Sequence, residues 1–255
     1  MHDYSNQSHA ITETSFASLS LDQFESLSHQ ESTLILDTRS KAEFRAGFIS
    51  KSIFLGIDGN FNAWITALTP ESIKTVVVIA HPNRLTDVYT RLKRTSAHYK
   101  LAYLDGGFQS WSNTQREINT ISSISLEDFA LIDEPSIIDV CKPSEYYSQH
   151  LIQAQNIPLI RIVENHPEVR LNDEVSYYVY CATGYRSLIF ISLLKSQGIH
   201  NLINIKGGFR ALKYAELFNL SDYACPTTMP IRVCIIILII HPIIIKIIKS
   251  YFDNI

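Results

Sequence analysis

Residues 177–190 read YYVYCATGYRSLIF, an apolar run that breaks around one cysteine, carries one arginine and turns apolar again. The run before Cys181 is aromatic and β-branched, as strands are; the run after Arg186 continues long enough for a helix. Between them Ala182, Thr183, Gly184 and Tyr185 form a turn of strand-to-helix length. In such a turn successive backbone N–H groups point inward and the helix N-terminus adds positive potential, so the loop is a nest for an anion. Gly184 supplies a backbone angle closed to most residues. Cys181 is therefore a candidate nucleophile, with Ala182–Tyr185 as the cradle that meets substrate. Arg186 is a cation for a partner carboxylate or the substrate, and Ser187 offers a hydroxyl to the sulfur. A cysteine at a strand end is more often a small packed hydrophobe, but packing needs neither Gly184 nor Arg186 at this spacing.

The chain repeats itself. SLDQFESL (20–27) pairs with SLEDFALI (125–132), LILDTRSKAEF (34–44) with SIIDVCKPSEY (136–146), and LAYLDGGFQSW (101–111) with LINIKGGFRAL (202–212). A steady offset of about 100 residues is too long for a solenoid unit and suits a duplicated domain. In each copy a serine, Ser20 or Ser125, is placed to cap a short helix, and only the first copy, with Gln23, completes a capping box. The runs TLILD, TVVVIA, SIIDV and VSYYVYC do not alternate, which predicts parallel strands covered on both faces. Helical stretches follow at 85–94 and 187–197, the latter closed by Gly198. The expectation is an α/β fold of two domains, 16–115 and 122–220, each a mostly parallel sheet flanked by helices. A polar linker lies near 113–123, and residues 221–255 form a C-terminal extension of uncertain structure.

Composition narrows the function classes. The 255 residues are 46% hydrophobic and 18% charged with a net charge of −3, ordinary for a globular chain, and nothing favours nucleic acid. The four cysteines form no C-x-x-C pair and no histidine pair has ligand spacing, so neither a metal nor another cofactor is expected. Scattered thiols and a polar N-terminus without an apolar core predict the reducing cytoplasm. The isoleucine-rich tail at 231–252 is broken by His241, Pro242 and Lys246 into runs too short to span a bilayer, which needs about 20 residues. A membrane-surface anchor, a β-prone extension and a read-through terminus all stay open for it.

The loop CATGYRS resembles the active-site loop of the rhodanese family of sulfurtransferases, Cys-x-x-Gly-x-Arg-Ser. The segment IIDVCKPSEYYSQHLIQAQNIPL (137–159) and the closing INIKGGF (203–209) are similar to that family's flanking segments. The resemblance implies sulfur transfer through a persulfide on Cys181, from a small sulfur donor such as thiosulfate or a low-molecular-weight persulfide to a thiol acceptor. Cysteine phosphatases use a related cradle with five residues between Cys and Arg; here four intervene, and the tighter ring suits one sulfur atom better than a tetrahedral phosphate.

Asp139 and Glu145 match positions of the family pattern, Asp139 to fix backbone at a strand end and Glu145 to hold Arg186. Cys141 stands where the family usually has an arginine, which the first copy keeps as Arg39. It is read as a core substitution, with a disulfide or sulfur exchange with Cys181 as the sharper alternative. In the first copy Ala80 occupies the nucleophile position, each of Ala80 and Cys181 lying 26 residues before its own Gly-Gly-Phe, so this copy is expected to be catalytically silent. Its His81, Asn83 and Arg84 are available for an anion or simply solvated. The closing SDYACPTT (221–228) resembles the end of bacterial proteins that carry two rhodanese domains behind a metallo-β-lactamase-fold persulfide dioxygenase-type domain. That resemblance implies such a metalloenzyme as a partner, with a degenerate pair acting as a binding module as the competing reading.

Overall fold

The computed structural model describes residues 16–95, 98–165 and 171–222. The first unit runs β1 (Phe16–Leu19), α1 (Leu21–Ser28), β2 (Thr33–Asp37), α2 (Lys41–Ala46), β3 (Ile53–Phe54), α3 (Phe61–Leu68), β4 (Thr75–Ile79), α4 (Leu85–Thr95), β5 (Lys100–Leu104) and α5 (Gly107–Ser112). The second repeats this order as β6 (Ser123–Ile124), α6 (Leu126–Phe129), β7 (Ser136–Asp139), α7 (Pro143–Ser148), β8 (Ala154–Asn156), α8 (Leu159–Asn165), β9 (Tyr177–Tyr180), α9 (Arg186–Ser196), β10 (Leu202–Ile205) and α10 (Gly208–Tyr214). Each unit forms a five-stranded sheet, ordered β1-β5-β4-β2-β3 and β6-β10-β9-β7-β8, with every pairing parallel. β4 and β9 are the middle strands, and their buried, non-alternating side chains are what a sheet covered on both faces requires.

The helix starts follow the capping chemistry. Ser20 Oγ accepts the Gln23 N–H while Gln23 Oε1 accepts the Ser20 N–H, a reciprocal box; Ser125 caps only the Asp128 N–H. α9 begins at Arg186, as its sequence predicts, and ends with the Gly198 and Ile199 N–H groups returning to the carbonyls of Lys195 and Leu194. α9 differs from α4. The polar face of α4 leaves only Val88 and Leu92 buried, whereas α9 buries residues all round, including Ser187, Leu188, Ile189, Phe190, Ile191 and Ser192. The reason is its position: α9 packs on β9 and β10 of its own sheet and on β3 of the other unit.

One apolar core therefore runs through both units, joining Phe54, Trp64 and Ile65 to Leu159, Leu188 and Phe190, while each sheet has a separate core on its outer face. α3 packs on α8 across the junction, and the Phe54 N–H donates to Ser192 Oγ at 3.0 Å. The polar linker is not loose. Asn119 bridges to Phe48, the Ile121 N–H donates to the Arg45 carbonyl, and Ile121 is buried. The tail at 231–252 and most of SDYACPTT lie outside the described residues.

Candidate active site

Parallel strands bring their carboxyl ends to one edge, and there the second sheet gathers Cys181 after β9, Asp139 at the end of β7 and the Gly207-Gly208 turn after β10. Cys181 is 1% exposed. The Gly184 N–H donates to its Sγ at 3.2 Å, and Gly184 holds φ +82°, a left-handed angle that turns this amide inward. The loop is pinned from behind: the Phe209 and Arg210 N–H groups donate to the carbonyls of Cys181 and Ala182 at 2.8 and 3.0 Å.

Ser187 reaches the sulfur in the opposite sense from the one the sequence suggests. The Cys181 thiol donates to Ser187 Oγ at 3.9 Å, and Ser187 gives its own proton to Asn204 Oδ1 at 2.9 Å. Asn204, on β10 and 1% exposed, is thus a member of the site that sequence reading missed; its one signal is a polar residue inside the apolar run LINI. Arg186 forms a fork with Glu145, with Nη2 to Oε1 at 2.8 Å and Nη1 to Oε2 as the second arm. Burial of Arg186 works against its charge, but the Glu145 bond holds its pKa above the ordinary value, and the same bond holds the Glu145 carboxyl below its own. Asp139 accepts the Cys141 N–H at 2.8 Å, the backbone role expected of it, and burial pushes its pKa up.

Cys141 is buried at 4% exposure beside Arg186, whose Nη2 lies 3.7 Å from its sulfur; burial, then the Asp139 charge, push this thiol up well beyond a free cysteine. Both Cys141 and Cys181 are free thiols.

The first unit contributes directly to the mouth of the loop. Lys41 Nζ donates to the Thr183 carbonyl at 2.9 Å, a contact between residues 142 apart in sequence that no local pattern announces. Tyr185 faces the first unit: its hydroxyl donates to the Gly56 carbonyl at 2.8 Å, its ring meets Phe54 at 5.3 Å, and burial raises its pKa. A cavity of about 370 Å³ lies at this junction, lined among others by Lys41, Asp58, Thr183 and Tyr185. A cavity of about 400 Å³ at the other end of α9, lined among others by Leu193 and Gln197, has no cysteine in its wall.

In the first unit Ala80 stands at the end of β4 with no thiol. Arg84 is engaged by Asp58 and Asp87, and His81 by Glu43, so two of the three polar residues of that loop serve pairs inside their own unit rather than facing an open anion site. Among the described residues no group of His, Cys, Asp or Glu is arranged to hold a metal ion, and no helix is long and apolar enough to cross a membrane.

The rhodanese-like domain model matches the sequence twice, at residues 20–114 and 128–215, more than half of the chain. The chain belongs to the rhodanese-like family. Among curated relatives it is 30% identical over 137 residues to a "Probable molybdopterin-synthase adenylyltransferase" of Pyropia yezoensis, covering 51% of this chain and 35% of that protein. It is 32% identical over 102 residues to the "Uncharacterized protein YqhL" of Bacillus subtilis, covering 40% of this chain and 77% of that one. The chain thus spans about a third of the length of the first of these relatives. Among solved structures, a thiosulfate sulfurtransferase from Pseudomonas aeruginosa aligns with 82% of this chain and 44% of its own length, at 18% identity and a TM-score of 0.34.

Proposed function

We propose that this tandem rhodanese is a sulfurtransferase that moves sulfane sulfur from thiosulfate or a low-molecular-weight persulfide to a thiol acceptor through a persulfide on Cys181. The observation that carries the reading is the inward Gly184 amide on the Cys181 sulfur, at the start of a helix that supplies Arg186 and Ser187. The Cys181 thiolate attacks the outer sulfur of the donor. The donor S–S bond breaks, and sulfite or a thiolate leaves with the bonding pair. The new Cys181–S–S⁻ carries one negative charge in a poorly hydrated loop, where the amides of Ala182–Arg186 offset it. Ser187 turns from Asn204 to donate to this sulfur, and Arg186, held by Glu145, adds its field without leaving its partner. An acceptor thiolate then attacks the outer sulfur, takes it as its own persulfide and restores the Cys181 thiolate. Two half-reactions give ping-pong kinetics.

The first unit has no thiol at Ala80 and serves as a wall, with Lys41 and the Gly56 carbonyl holding the loop from the other side. Two buried free thiols suit a reducing compartment such as the cytoplasm.

A second reading is favoured by the burial of Cys181 and by Cys141 in the place of an arginine: a degenerate pair that docks on a persulfide-metabolising metalloenzyme, such as a metallo-β-lactamase-fold persulfide dioxygenase, without turnover. Intact mass after incubation with thiosulfate or glutathione persulfide separates the two. The wild type gains one sulfur, about 32 Da, and Cys181→Ser does not, as covalent catalysis on this thiol requires. Equal masses and equal sulfur-transfer rates in both proteins would sink the sulfurtransferase reading.

A further inference from the structure

The two copies differ at one buried cation. In the first, Arg39 is enclosed: its Nη2 and Nε bond the Asp37 carboxylate at 2.6 and 3.0 Å, Nη2 also donates to the Gly47 carbonyl at 2.7 Å, and the guanidinium lies 3.8 Å from the centre of the Phe108 ring. The matching positions of the second copy are Asp139, Gln149 and Phe209, with Cys141 in the place of the arginine. The correspondence is structural as well as sequential. Asp37 and Asp139 end β2 and β7, Gly47 and Gln149 follow α2 and α7 in the same extended backbone, and both phenylalanines open the helix after the Gly-Gly turn.

Loss of the arginine leaves a cavity of about 330 Å³ lined by Asp139, Cys141, Gln149 and Phe209, with Lys213 and Glu145 also in its wall. The kinds of group that hold a guanidinium in the first copy are present there: a carboxylate on a residue 1% exposed, which accepts the Cys141 N–H and is hydrogen-bonded to the Tyr180 hydroxyl, a ring, and Gln149 after α7. Gln149 Oε1 is buried and makes no hydrogen bond. Glu145 is already committed to Arg186. A buried carboxylate whose copy elsewhere in the chain is neutralised by a bidentate fork presents the complementary half of that fork.

We infer that this cavity is a guanidinium site, which takes from outside the chain the group that Arg39 supplies from within. The ligand stacks on Phe209, donates two hydrogen bonds to Asp139 and one to Gln149, and lies against the Cys141 thiol, one residue contact away from Arg186.

The probe is methylguanidinium, and the readouts are thermal midpoint and the alkylation rate of Cys141 followed by peptide mass, neither of which depends on sulfur transfer. At a concentration tenfold above Kd, binding to the native state raises Tm by about 3–6 °C. It also slows Cys141 alkylation about tenfold, the fraction of sites left unoccupied. Cys141→Arg fills the cavity from within and abolishes the shift. Asp139→Asn removes the carboxylate and abolishes it independently should the arginine variant not fold. A larger shift with N-acetylarginine amide assigns the site to an arginine side chain of a peptide, and a larger shift with methylguanidinium to a free guanidino compound; either supports the site. No shift in the wild type, an equal shift in Asp139→Asn, or an equal shift with methylammonium overturns it.

Discussion

Gly208 sits behind the sulfur loop at φ +63°, and a Cβ built on it would lie 2.2 Å from the Cys181 carbonyl oxygen. Gly208→Ala therefore fails twice. The left-handed angle costs about 1–2 kcal/mol for a residue with a Cβ. The approach is shorter than ordinary contact, about 3.5 Å, by about 1 Å, and the atom it meets is backbone, which no rotamer change relieves. Overpacking of this kind costs about 1–3 kcal/mol. The sum, about 2–5 kcal/mol, lowers Tm by about 5–15 °C for a chain of this size. The displacement falls on the carbonyls that Phe209 and Arg210 pin, so the cradle shifts with them. A misplacement of about 1 Å at reacting groups costs on the order of a hundredfold in rate.

The first copy supplies the control. Gly107 holds φ +59°, and its Cβ would lie 2.3 Å from the Ala80 carbonyl oxygen, the same collision behind a loop without a thiol. Gly107→Ala should lose comparable stability, yet its folded fraction should form the Cys181 persulfide at the wild-type rate. Stopped-flow persulfide formation below both midpoints, normalised to folded protein, measures this. If Gly208→Ala keeps the wild-type rate, or both variants slow alike, the claim that this glycine sets the cradle is wrong.

Two other outcomes are expected. Ser192→Ala leaves the Phe54 N–H buried without its acceptor at the junction of the units, which costs about 1–3 kcal/mol in urea unfolding; a change under about 0.5 kcal/mol would show that the bond is replaced. Glu145 is held below the usual carboxylate range by Arg186, so its contribution is full above the unfolded value, about pH 4.3, and is lost as pH falls through the depressed folded value. The carboxylate is half exposed, so the effect is about 0.5–1 kcal/mol, and a Tm–pH series should show the acid limb flattened in Glu145→Gln; superimposable limbs would contradict the pairing.

Much of this was legible where a signal is local. The duplicated order, the parallel strands, the start of α9 at Arg186, the incomplete cap at Ser125 and the matching places of Ala80 and Cys181 after β4 and β9 each rest on neighbours in sequence. The Arg186–Glu145 fork was readable from the family pattern and is present. What escaped depends on contacts made only after docking. Asn204 takes the Ser187 proton from an adjacent strand, Lys41 crosses from the other copy, and Tyr185 points at Gly56 rather than at solvent. α3 and α8 each bury one face, Phe61, Trp64, Ile65 and Leu68 in the first and Leu159, Ile162 and Val163 in the second, but they run for only eight and seven residues, shorter than the window over which a helical period declares itself. The two-residue strand β3 is too short for any pattern to announce.

The burial of α9 on every side has a consequence for how this gene can be divided. Cutting the chain between its halves would strip the second half of a greasy partner and leave Leu188, Phe190 and their neighbours facing water. The first copy therefore acts as a built-in chaperone for the second, covering in cis a surface that would otherwise aggregate.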